Sequence, residues 1–101
     1  MILAKDTKLK YLNRRIDEIE QLKNYCLLIP ENINNLELFA SIEMIGHKLK
    51  GNGSTFGYPE LTQLGLAIEG AAKKLDLEKL RELNLKFEER VRNYLRLLND
   101  I

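Results

Sequence analysis

Leu77–Asn99 reads LEKLRELNLKFEERVRNYLRLLN. Leu77, Leu80, Leu83 (or Asn84), Phe87, Val91, Tyr94 and Leu98 recur in it at intervals of three and four. That spacing draws one apolar stripe along an α-helix and leaves the charged side chains on the other side. Asp76 stands at the N-cap position. A helix with such a stripe has to bury it against other elements.

Working outward, three more segments show the same period. Thr7 to Leu28 carries Leu9, Leu12, Ile16, Ile19, Leu22 and Cys26, with Asp6 as its expected N-cap. Pro30 marks its end, because proline disfavours helix in the residue before it. Ile33 to Phe56 carries Leu38, Ile42, Ile45, Leu49 and Phe56, and Gly57 is placed to stop it in a left-handed conformation. Pro59 suits a first helical turn, and the segment from there to about Lys74 carries Leu61, Leu64, Ile68 and Ala71 or Ala72. No segment alternates as a strand does. Connections of a few residues favour antiparallel neighbours. The expected fold is all-α, an antiparallel up-down four-helix bundle, with residues 1–101 forming one domain.

The chain has 101 residues, enough for a single core without a covalent staple. Sixteen basic residues against 15 acidic ones leave a net charge of +1, which argues against a nucleic-acid partner. The lone cysteine, Cys26, rules out an intrachain disulfide and reads as a small buried apolar group. No apolar run approaches the ~20 residues of a membrane span. Met1–Lys5 does not read as a signal peptide, since its apolar part is short and Lys5 and Asp6 follow at once. A cytoplasmic protein that does not engage a membrane is expected. Tyr11, Tyr25, Tyr58 and Tyr94 are expected at the edge of the core.

The second segment holds the only histidine, His47. At roughly 100° per residue, its apolar stripe occupies a sector of about 60°, and His47 falls roughly 170° from the middle of that sector. Lys50 and Gly51 lie roughly 60° and 40° either side of it. Ala40, Glu43, Met44 and Ser54 share the outward half, with Leu36 beyond them. His47 alone reads equally well as a surface residue without a role. Its neighbours weigh against that. Gly46, Gly51 and Gly53 each cost roughly 1 kcal/mol relative to alanine in a helix. Gly46 and Gly53 lie nearer the core side, where close helix packing explains them. Gly51 lies on the exposed face, where it would let a partner approach the imidazole. Ala40 and Met44 extend this face as an apolar docking strip.

These residues resemble histidine-containing phosphotransfer domains. The family pattern is His, a hydrophobic residue at +2, Lys at +3, Gly at +4, small residues to +7, a hydrophobic residue at +9 and Gly at +10. His47, Leu49, Lys50, Gly51, Asn52-Gly53-Ser54, Phe56 and Gly57 fill those positions, and Leu61 and Leu64 continue the pattern. Asn52 departs mildly, at a position more often Ser, Ala or Gly. The run Ser54-Thr55-Phe56-Gly57-Tyr58 also looks like the phosphotransfer domain of chemotaxis-type kinases. The likeness covers about residues 40–70.

The resemblance implies a phosphoryl carrier. His47 would take the group from a histidine kinase or from the aspartate of a response-regulator receiver domain, and pass it to another such aspartate. Lys50 would stabilise the added charge. Ala40, Glu43, Met44, Lys48, Gly51 and Ser54 would form the docking face; Lys48 reads more simply as part of a solvated helix face, with steering of an acidic partner as its alternative role. No phosphate-binding loop is present, so the chain is not expected to use ATP by itself. No cofactor or metal is expected on it; Mg²⁺ belongs to the receiver. A monomer is expected. Glu69 is a further hydrogen-bonding group that the sequence does not place near the site. The competing reading is a helical scaffold or kinase-binding regulator of the same fold that transfers nothing. A metal- or cofactor-binding bundle is disfavoured, because no inward-facing pairs of His and Glu are found.

Overall fold

Four helices in sequence make up the structure: α1 (Lys5–Leu28), α2 (Asn35–Asn52), α3 (Pro59–Lys73) and α4 (Leu77–Asn99). The computed structural model describes residues 3–100; Met1 and Ile2, part of the segment read above for targeting, lie outside the described residues, as does Ile101. A 3-10 turn, Ile29–Glu31, follows α1, with Pro30 inside it. The described residues contain no strand. Helix α2 packs against α3, α3 against α4, α4 against α1, and α1 against α2, which closes a four-helix bundle.

The helix ends show local chemistry at work. The Asp76 carboxylate accepts from the Lys79 backbone N–H at 3.0 Å and caps α4 as expected. Pro59 opens α3. Helix α1 differs from expectation. It begins at Lys5, and Ala4 precedes it without a side-chain cap. Asp6 lies within the first turn, where its charge suits the helix dipole but caps nothing. Helix α2 begins at Asn35, two residues later than its apolar pattern suggests, and Ile33 is 96% exposed.

The regular part of α2 ends at Asn52, and one more turn carries the chain to Gly57. There the Tyr58 N–H bonds the Gly53 carbonyl at 2.8 Å, the Gly57 N–H bonds that of Ser54 at 3.0 Å, and Gly57 takes φ +91°. This is a Schellman termination with glycine in the left-handed position. The same pair of bonds ends α3, from Leu75 to Ala72 and from Asp76 to Ala71. Here the left-handed residue is Leu75, at φ 57°.

The core runs the length of the bundle. Leu12, Leu22, Ile42, Leu49, Leu61, Ile68, Leu80 and Phe87 are fully enclosed, each contributing about 1.5–3 kcal/mol by leaving water. Cys26 is buried among them. Phe39 is buried as well, although the sequence pattern pointed to its neighbour Leu38, which is half-buried. Phe56, Tyr11, Tyr58 and Tyr94 follow one another in a row of rings, at 4.2 to 6.1 Å between successive centroids. The Tyr11 hydroxyl donates to Asn52 Oδ1 at 2.5 Å, which ties the end of α2 to α1. Tyr11 and Tyr58 are more deeply buried than their expected place at the core edge.

Candidate functional site

Three glycines bring α2 and α3 into backbone contact. A Cβ on Gly46 would lie 2.6 Å from the Glu69 nitrogen, and one on Gly65 would lie 2.3 Å from the Lys50 nitrogen. A Cβ on Gly53 would lie 2.5 Å from the Thr62 nitrogen. None of these distances admits a side chain, so the glycines set both the separation and the register of the two helices. The register puts Glu69 opposite the turn of α2 that carries His47 and Lys50.

Glu69 joins the two. Its Oε2 lies 2.8 Å from His47 Nδ1, and its Oε1 accepts from Lys50 Nζ at 2.8 Å. The Glu69 side chain is only 9% exposed, whereas that of His47 is 61% exposed. The two partners together make this burial tolerable for a carboxylate. The Lys50 hydrogen bond first, and the His47 hydrogen bond second, hold the Glu69 carboxyl below its ordinary value against the opposing effect of burial. Glu69 is therefore an ionised acceptor near neutral pH. An acceptor at Nδ1 selects the ring form that carries its proton there. In the neutral ring the lone pair is then on Nε2, the nitrogen away from Glu69.

The residues expected on the outward face are mostly where the helical arithmetic puts them. Ala40, Lys48 and Gly51 are exposed, Met44 is 52% exposed, and Glu43 is half-buried. Nothing lies within 4 Å of where a Gly51 Cβ would be. Ser54 is exposed but lies beyond the regular helix, and it ties the turn to α3: its N–H bonds Thr62 Oγ1 at 2.8 Å, and its hydroxyl lies 3.1 Å from the same atom.

Sequence reasoning could not place Glu69. The one available signal is its position: a carboxylate beside Ile68 and three residues before Ala72, on the inward edge of α3. Among the described residues, no three or more His, Cys, Asp or Glu side chains gather as a metal site would require. No helix among them is long and apolar enough to cross a membrane. Comparison of the chain with protein-family models, with curated proteins and with solved structures finds no match.

Proposed function

We propose that this protein is a phosphoryl carrier, in which His47 Nε2 receives a phosphoryl group from a receiver-domain aspartate or a histidine kinase and yields it to another receiver aspartate. One observation carries this reading. A buried, ionised carboxylate holds Nδ1 of a histidine whose side chain is otherwise mostly in solvent. That arrangement fixes the ring form and its orientation and leaves one nitrogen nucleophilic and accessible.

In the transfer, the Nε2 lone pair attacks phosphorus in line, a P–N bond forms, and the P–O bond to the aspartate carboxylate breaks. The carboxylate leaves with its electron pair. The ring keeps its Nδ1 proton and becomes formally cationic, and the facing Glu69 carboxylate balances that charge. Onward transfer is the reverse step. Lys50 is held beside the ring by the same carboxylate, where its ammonium favours the phosphoryl oxygens. Mg²⁺ and the acidic groups that bind it are supplied by the receiver. The chain itself is then a carrier and not an ATP-using kinase, working as a monomer in the cytoplasm. For the helix plan we propose the antiparallel up-down order. The short connections between α2, α3 and α4 and the closed ring of helix pairings support it.

The test is incubation of the wild-type chain and His47→Gln with receiver domains charged at their aspartate. Acid-labile label should pass to the wild-type chain and not to the variant. Binding of the receiver without uptake of label would assign a scaffold role instead.

A further inference from the structure

The groove between α1 and α4 lies on the far side of the bundle from the α2–α3 contact that builds the His47 site. Ile19 and Leu27 on α1 and Leu85 on α4 give it apolar walls. Leu27 and Leu85 are 65% and 70% exposed, the most exposed leucines of these two helices. The groove encloses about 250 Å³, just under the ~300 Å³ at which drug-sized pockets begin. That is room for one ring system and its substituents, and too little for a helix of another protein.

The floor of the groove holds a polar group that the fold leaves unmatched. Asn84 is only 8% exposed. Its Nδ2 donates to the Ile19 carbonyl at 3.1 Å, and because that carbonyl only accepts, the amide cannot be turned over. Oδ1 is thereby held on the other side, where it is shut off from water and meets no donor among the described residues. A buried acceptor in this state costs folding free energy, and such groups are as a rule satisfied by a partner.

The charges along the groove are unequal. Arg81, whose Nη2 lies 3.5 Å from the Cys26 carbonyl, and Lys23 line it on one side of Asn84. Neither makes an ion pair among the described residues. Glu88 lies one turn of α4 beyond Asn84 on the other side, and Arg92 already binds its carboxylate through contacts of 3.0 and 3.1 Å. The acidic group is therefore matched within the fold and the two cations are not.

We propose that this groove binds a small amphipathic carboxylate whose apolar part carries an N–H or O–H. The apolar part enters between Leu27 and Leu85, displacing side chains that gain little where they stand. Its donor meets Asn84 Oδ1, and its carboxylate lies against Lys23 and Arg81. The site is independent of the phosphoryl-carrier reading, and neither falls with the other.

Indole-3-acetate is the probe, because it joins a ring N–H to a carboxylate in a molecule of this size. Its binding to the whole chain is followed by ¹H–¹⁵N NMR, beside 1-methylindole-3-acetate, which lacks the donor, and 3-methylindole, which lacks the carboxylate. Indole-3-acetate should bind with half-saturation below ~1 mM and move the amide signals of residues 19–27 and 81–88. Methylating the ring nitrogen should weaken binding about tenfold, the effect of losing one hydrogen bond to a buried group. Removing the carboxylate should weaken it about fivefold, and added salt should weaken only the binding of the two carboxylates. Lys23→Gln, at an exposed position, should cost indole-3-acetate about threefold and leave 3-methylindole unaffected. Asn84→Ala should bind indole-3-acetate and its 1-methyl form equally. Equal affinity of the wild-type chain for all three compounds would mark a plain apolar crevice and overturn the proposal. So would the absence of saturation by indole-3-acetate up to ~5 mM.

Discussion

Replacing Gly65 with alanine perturbs the fold and the site through the same contact. The added methyl would lie 2.3 Å from the Lys50 nitrogen, 2.7 Å from the Gly46 oxygen and 2.8 Å from the Leu49 carbonyl carbon. All three are backbone atoms, so no side chain can swing aside. Restoring ordinary contact distances requires α2 and α3 to part by about 1 Å. Overpacking of this kind costs about 3 kcal/mol at the upper end of its usual range, and the better helix propensity of alanine returns about 1. A net loss of about 2 kcal/mol corresponds to a melting temperature lower by roughly 8–16 °C in a domain of this size. The same 1 Å carries Glu69 away from His47 Nδ1 and Lys50 Nζ, both now at 2.8 Å, and beyond hydrogen-bonding reach. Thermal unfolding followed by circular dichroism measures the first effect. The proton signal of His47 Nδ1–H, shifted downfield by its carboxylate partner in wild type, measures the second. Gly51→Ala, in open space, serves as reference and should gain about 1 kcal/mol. A Gly65→Ala protein as stable as Gly51→Ala, with the Nδ1–H signal intact, would refute the claim that glycine contacts set this register.

Glu69→Gln should retain the fold and slow phosphoryl uptake by His47 at least roughly 10-fold to 100-fold, the loss seen when the carboxylate behind a metal-bound histidine is removed; single-turnover labelling reads this directly. Because the folded Glu69 pKa is depressed, the stability it contributes is present above its ordinary value of 4.5 and is lost as pH falls through the lower folded value. Urea midpoints of wild type and Glu69→Gln should therefore converge below pH 4.5, and a constant gap down to acid pH would contradict the assignment. Lys50→Ala should slow transfer with the helical spectrum unchanged, and it should raise the Glu69 titration midpoint seen by carbon NMR, since Lys50 is the first cause of the depression. Leu75→Gly should stabilise the protein by up to about 1 kcal/mol, because Leu75 holds φ 57° at the end of α3 while half-exposed; a lower melting temperature would show that its side-chain contacts outweigh the backbone strain.

The parts of the fold legible in the sequence are those fixed by local chemistry. Helix α4 spans Leu77–Asn99, as its stripe and the Asp76 cap indicate, and Pro59 marks the start of α3. The start of α1 is not legible in this way, because no side chain caps it and Asp6 resembles a cap that the helix passes by. Phe39 escapes a single-stripe reading because α2 has neighbours on two sides, α1 and α3, and buries a wider arc than one stripe. The outward placement of His47 follows from its angle to the stripe and needs no partner helix. Glu69 is different. Its meeting with His47 depends on the tertiary register of α2 and α3, which backbone contacts at Gly46, Gly53 and Gly65 determine. Sequence periodicity suggested close packing at Gly46 and Gly53 but carried no information about the partner residues. Gly70 shows the converse: only the open space around it separates it from the packing glycines.

Phosphorus and nitrogen NMR of the chain labelled with ¹⁵N at histidine, after charging by a receiver domain or by phosphoramidate, tests the central claim most directly. The account predicts one phosphoimidazole signal, with phosphorus coupled to His47 Nε2 and the proton retained on Nδ1 facing Glu69. Phosphate coupled to Nδ1, or equal uptake of label by His47→Gln, would contradict it.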